Sequence, residues 1–188
     1  MADQTFTSGQ VLTAAQMTTL QQDIGLTWIA TTTYTGSTAA SVTASLLNCF
    51  SSSFSNYKVI ISHYGSASTT FAFQMVSGAG VDAGANYFGY GLAYNAGVTD
   101  IGGAATVSQR CGGHSSTSTI LCETVIDIAN PNIAARTQAN IHAFDANGPA
   151  VLLLGTQVAT STQYTGIQII PASGSITGTM RVYGYRNS

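Results

Sequence analysis

Few side chains in this chain could act as acid, base or metal ligand: seven carboxylates, three histidines and three cysteines among 188 residues. The acids are Asp3, Asp23, Asp82, Asp100, Glu123, Asp127 and Asp145. Glu123 and Asp127 share one face of an alternating segment, about 13–14 Å apart at 3.4 Å per residue. A hydrolytic carboxylate pair needs roughly 5–10 Å, so the two read as a solvated strand face. No Gly-x-Ser-x-Gly elbow accompanies His63, His114 or His142. Cys111-Gly-Gly-His114, with Cys122 beyond it, has the close Cys/His spacing of zinc ligands. It lacks a fourth ligand, and a glycine loop with incidental Cys and His is the weightier reading. Asp145-Ala-Asn-Gly148 opens like a calcium loop but has Leu154 where the bidentate Glu should stand, so a hairpin turn is expected. No catalytic residue, metal or cofactor is assigned, and no enzyme is expected.

Aromatic chemistry is more suggestive. Tyr87, Tyr90 and Tyr94 lie in the glycine-rich stretch from Asn86 to Gly97, and Tyr183 and Tyr185 in that from Arg181 to Asn187. Tyrosines beside glycines supply contact area with a polar tip, which suits a subunit interface or stacking on a sugar ring. The alternative is that alternate members pack in the core.

The elements that must hold these residues are strands. Period-two alternation predicts strands over Thr27–Thr35, Tyr57–Tyr64, Thr69–Val76, Asn86–Tyr94, Thr117–Ile128, Ala134–Phe144, Val151–Leu154, Tyr164–Ile170 and Thr177–Arg186, with Ser41–Leu47 weaker. Tyr57, Val59, Ile61 and His63 share one face. Phe71, Phe73 and Met75 share another, as a half-buried strand requires. Cys122 falls on the buried face of its strand, so buried free thiols are expected. Gly97–Gly113 reads as a long loop with one short strand near Thr106–Gln109. Asn130-Pro131-Asn132 and Pro171–Gly174 read as turns. Eight to ten strands with regular turn signals predict an all-β antiparallel sandwich of jelly-roll type over residues 26–188.

The one helix expected precedes this body, over residues 13–24. Thr13 and Gln16 form a capping box, and Leu12 and Met17 a hydrophobic staple. Met17, Leu20 and Ile24 make an apolar stripe, and Gly25 is placed to end the helix in the left-handed conformation. With no second helix to cover the stripe, residues 1–25 read as an anchor into a larger assembly.

Composition points the same way. Only 6% of residues are charged, against roughly a quarter in ordinary soluble domains. Ser and Thr, 46 residues together, supply the polarity instead. Such a surface has little charge repulsion to keep monomers apart, which suits a permanent oligomer or a part of a particle. The net charge of −2 and the lack of a basic cluster argue against nucleic-acid binding. No apolar run reaches membrane-spanning length and no signal peptide is evident, so assembly in a cytosol is expected.

Phe6-Thr-Ser-Gly-Gln-Val-Leu-Thr-Ala-Ala-Gln-Met-Thr-Thr-Leu20 resembles the leader of many tailed-bacteriophage virion proteins, fibre and tail-appendage proteins above all. Ile176-Thr-Gly-Thr-Met-Arg-Val-Tyr-Gly-Tyr-Arg186 is similar to their terminal strand, and Asn56-Tyr-Lys-Val-Ile-Ile61 to an early one. These segments cover about a sixth of the chain. The resemblance implies a virion structural protein assembled in the host cytoplasm, commonly a homotrimer whose N-terminal part docks onto the particle. Phe6, Leu12, Met17, Leu20 and Ile24 would form the anchor, and the tyrosines would meet neighbouring subunits or host surface glycans. A capsid decoration protein bridging capsomers is the alternative within that class. A free carbohydrate-binding module is the alternative outside it.

Overall fold

The protein is described by a computed structural model covering residues 11, 13, 25–67, 69–95, 98–102, 110–115, 121–145, 150–158 and 160–185. Among these residues the chain forms strands and no helix. In chain order they are β1 (Leu26–Ser37), β2 (Ser45–Leu46), β3 (Asn56–Gly65), β4 (Thr69–Ser77), β5 (Gly80–Val81), β6 (Tyr87–Asn95) and β7 (Val98–Gly102). There follow β8 (Arg110–Ser115), β9 (Cys122–Ala129), β10 (Thr137–Asp145), β11 (Ala150–Val158), β12 (Tyr164–Pro171) and β13 (Ile176–Tyr185).

Alternation in sequence becomes alternation in burial. Tyr57, Val59, Ile61 and His63 of β3 are buried, as are Cys122, Thr124, Ile126 and Ile128 of β9, while the residues between them are half-buried or exposed. The strands pair into two antiparallel sheets. The large one runs β1-β13-β3-β9-β10-β11-β6-β7 and the small one β2-β12-β4. The far edge of β4 is shared by β5 at one end and β8 at the other. From β1 to β4 the chain changes sheet at every step, and it does so again from β5 to β6, from β7 through β8 to β9, and from β11 through β12 to β13.

The inward faces of both sheets meet in one apolar cluster. Phe71, Phe73 and Met75 of β4 and Ile167 and Ile169 of β12 face Val59, Ile61, Ile126, Met180 and Val182 of the large sheet. The His63 and Phe71 rings meet edge to face across the layers at 4.5 Å, as Phe73 and Tyr87 do at 6.1 Å. β13 enters this core through two glycines. A Cβ on Gly178 would run into the Ser62 carbonyl oxygen and lie 2.7 Å from His63 Cα. A Cβ on Gly184 would lie 2.5 Å from Cγ of Phe54, whose ring occupies that place.

Several expectations are revised. The segment Ser41–Leu47 pairs only through the two residues of β2. β4 is buried at both parities, with Ala72 and Gln74 buried beside the expected Phe71, Phe73 and Met75, and Gln74 Oε1 accepts from Gln168 Nε2 of β12 at 2.9 Å. Where a loop was expected over Gly97–Gly113, residues 98–102 form β7 and residues 110–113 the start of β8; residues 97 and 103–109, with the short strand expected near Thr106–Gln109, lie outside the described residues. Asn130 takes a φ of +56° at the expected turn. The helix expected over residues 13–24 lies outside the described residues, apart from the backbone at Thr13, and Gly25 adopts a φ of +74°. No helix of the described residues is long and apolar enough to cross a membrane.

Candidate functional site

The outer face of the large sheet gathers polar and aromatic side chains from distant parts of the chain. Antiparallel register places Trp28, Tyr183, Lys58, Asp127 and Asn140 in one row across β1, β13, β3, β9 and β10. The next row on the same face holds Leu26, Tyr185, Asn56, Ala129 and Gln138. Adjacent members of a row are about 4.8 Å apart. The inner positions between these rows are taken by Gly184, Tyr57, Ile128 and Ala139, all buried. The alternation Val182-Tyr183-Gly184-Tyr185 therefore sends Val182 and the glycine inward and both tyrosines outward.

At the centre Asp127 Oδ1 accepts two hydrogen bonds, from Lys58 Nζ at 2.7 Å and from Tyr185 Oη at 2.8 Å. Lys58 Nζ also stands 5.9 Å from the centroid of the Tyr185 ring. Partial burial lowers the Lys58 pKa, but the bonds and charges of Asp127 and Tyr185 outweigh it and the net direction is upward. The Tyr185 hydroxyl is also raised, by burial and then by its bond to Asp127, with Lys58 opposing. The carboxylate is thus neutralised locally and held in place.

Beside this pair lies a groove of about 460 Å³ lined by Asn56, Asp127, Ala129, Gln138, Asn140 and Tyr185, with Tyr57 and Ile128 beneath. Ala129, the small member of its row, leaves the depression between Asn56 and Gln138. The groove offers amide donors and acceptors, a charge-balanced carboxylate and an aromatic ring, which suits binding more than group transfer.

The tyrosines singled out by sequence divide. Tyr183 and Tyr185 are half-buried on the outer face. Tyr90 and Tyr94 occupy register positions of the same parity, Tyr90 opposite Gly155 and Tyr94 opposite Val151. Tyr87 is fully buried on the inner side, where its hydroxyl accepts from the Met75 N–H at 2.9 Å and donates to the Asp82 carbonyl at 3.0 Å. Asp82 also accepts from Tyr164 Oη, and from Asn86 Nδ2 at 2.8 Å, so this carboxylate ties down the β5–β6 turn. Phe6, Leu12, Met17, Leu20 and Ile24 lie outside the described residues.

Cys111 and His114 belong to β8, opposite Ala72 and Thr70, and not to a loop. Among the described residues no group of three His, Cys, Asp or Glu could hold a metal ion. Cys49 and Cys122 are buried free thiols. The sequence did not mark Lys58 as a partner of Tyr185, nor Asn56, Gln138 and Asn140 as lining of the same groove. Their outward parity within strands was a visible signal, but their convergence depends on strand order. No protein-family model matches the chain, and no curated protein does.

Proposed function

We propose that this chain is a non-enzymatic structural protein of a phage particle, a homotrimeric fibre or surface appendage docked by its N-terminal segment. The observation that carries the reading is connectivity. Setting aside β5–β7 and β10–β11, the strands run β1-β13-β3-β9 in one sheet and β2-β12-β4-β8 in the other. This order matches the double Greek key of a jelly roll, an architecture used by viral capsid and lectin domains. Shared architecture supports a shared role by analogy. Two further features support it: the resemblance of residues 6–20 and 176–186 to virion proteins, and a charged fraction of 6% that suits permanent assembly.

The test is incorporation into particles. Full-length protein should be found in purified virions and sediment as a trimer, and deletion of residues 1–25 should abolish attachment while the trimer persists. Absence from particles, or unfolding on deletion, would sink the reading. A copy number matching the capsomers would move the protein to the decoration class. The polar groove favours a second reading, a free carbohydrate-binding module. Glycan binding by a protein that no particle contains would select it.

A further inference from the structure

We infer that the groove beside Tyr185 binds a neutral oligosaccharide. Its lining is built for hydroxyl groups. The side-chain amides of Asn56, Gln138 and Asn140 each carry donors and an acceptor, and a sugar hydroxyl is both. All three are exposed and make no hydrogen bond to another described residue, so their capacity is directed at the groove and its solvent. Gln138 and Asn140 are two residues apart on β10, about 6.8 Å, and Asn56 stands two strands from Gln138, about 10 Å. Polar contacts at several points along a chain of rings are therefore within reach of one oligosaccharide. The Tyr185 ring closes one end and can take the apolar C–H face of a sugar.

Charge selects the class. Among the described residues Asp127 is the only carboxylate lining the groove, and Lys58 neutralises it at 2.7 Å. An acidic glycan or a phosphate would find no free cation among the described residues of that lining, and a cationic ligand would compete with Lys58 for Asp127. The lining is too rich in amides for an aliphatic ligand. A volume of about 460 Å³ lies within the range of small-molecule sites, and its shallow, polar character suits millimolar to high-micromolar affinity.

Binding rests on the groove alone; only the placing of the glycan on a host surface rests on the virion reading. The experiment titrates the purified full-length protein with chitotriose, maltotriose and lacto-N-tetraose, and with 3′-sialyllactose as the acidic probe. Side-chain amide resonances are followed by NMR. At least one neutral probe should shift Asn56, Gln138 and Asn140. Gln138→Ala and Asn140→Ala, exposed positions that leave folding intact, should each weaken binding about tenfold, and Tyr185→Ala at least as much. Tyr185→Phe keeps the ring and should bind within a few-fold of the parent.

Four outcomes overturn the inference: no neutral probe shifts these amides, the shifts map elsewhere, the two amide variants bind normally, or sialyllactose binds about tenfold tighter than every neutral probe. Failure is distinguishable from failure of the virion reading. Binding by a protein that no particle incorporates keeps the groove and removes the virion, and incorporation without binding does the reverse.

Discussion

Burial holds the proton on several side chains of this protein, and the direction is the same for each. The Cys49 thiol, buried with Sγ 3.5 Å from the Leu46 carbonyl oxygen, is pushed from an ordinary 9 to about 12. Burial also raises the hydroxyls of Tyr34 and Tyr87, and takes Tyr164 to about 12. Tyr185 moves upward too, and so does Lys58, there against the effect of burial and through Asp127 and Tyr185, with less consequence for stability because both are only partly buried. A raised folded-state pKa means that the native state binds more protons than the unfolded chain above the ordinary pKa. Stability is then fully present below about pH 9 and falls as pH rises toward 12, by about 1.4 kcal/mol per pH unit for each fully buried group. Urea midpoints should be level from pH 7 to about 8.5 and decline beyond it. Cys49→Ala should lower the plateau through the small cavity it leaves, yet flatten the decline between about pH 9 and 12. An unchanged slope would show that Cys49 ionises equally in both states. At this scale the sequence was only half legible. The outward parity of Asp127 was readable from its strand, but its partners, Lys58 and Tyr185, lie 69 and 58 residues away, and nothing local in the sequence names them.

At the scale of elements, strand phase was the legible part. The inward set of β3 and the inward Cys122 of β9 follow from alternation, because a one-residue slip would turn every apolar side chain to solvent. Short pairings were not legible: β2 has two residues, and β7 and β8 are glycine-containing segments whose pairing comes from the neighbouring strand and not from propensity. β13 shows what the glycines of the terminal motif do. Gly178 lies against the β3 backbone, where a methyl group meets the Ser62 carbonyl and His63 Cα and only a shift of the strand can relieve it. Gly184 lies against a ring that can move, since Phe54 is only partly buried. Gly178→Ala should therefore cost about 2–3 kcal/mol, or roughly 4–12 °C in Tm. Gly184→Ala should cost less, and its cost should shrink further in a Phe54→Ala background. Thermal melts of the parent, the three single variants and the Gly184→Ala/Phe54→Ala double variant decide this. Equal losses at the two glycines, or strict additivity with Phe54→Ala, would contradict the assigned contacts.

For the whole molecule the decisive fact is the position of the last strand. β13 sits inside the large sheet between β1 and β3, so Leu26 pairs with Tyr185 across nearly the whole chain. Sheet order of this kind cannot be read from a single sequence, because alternation gives the face of each strand and says nothing of its neighbours. It also fixes how the protein must fold. With β13 missing, β1 loses its ladder and β3 loses one of its two, and Ile176, Met180 and Val182 leave the core. β1 cannot find its partner until β13 is synthesised, and pairings of such separation are slow to form. Truncation after residue 175 should leave a chain without cooperative thermal unfolding and sensitive to protease. Deletion of residues 1–24 leaves every strand of the described residues in place and should leave Tm within a few degrees of the parent. Full-length chain refolded from denaturant should recover its native signal in milliseconds to seconds or more slowly, and not in microseconds. A β13-truncated chain that melted cooperatively would mean that the smaller set of strands holds a core by itself, and the insertion of β13 between β1 and β3 would not be what stabilises the fold.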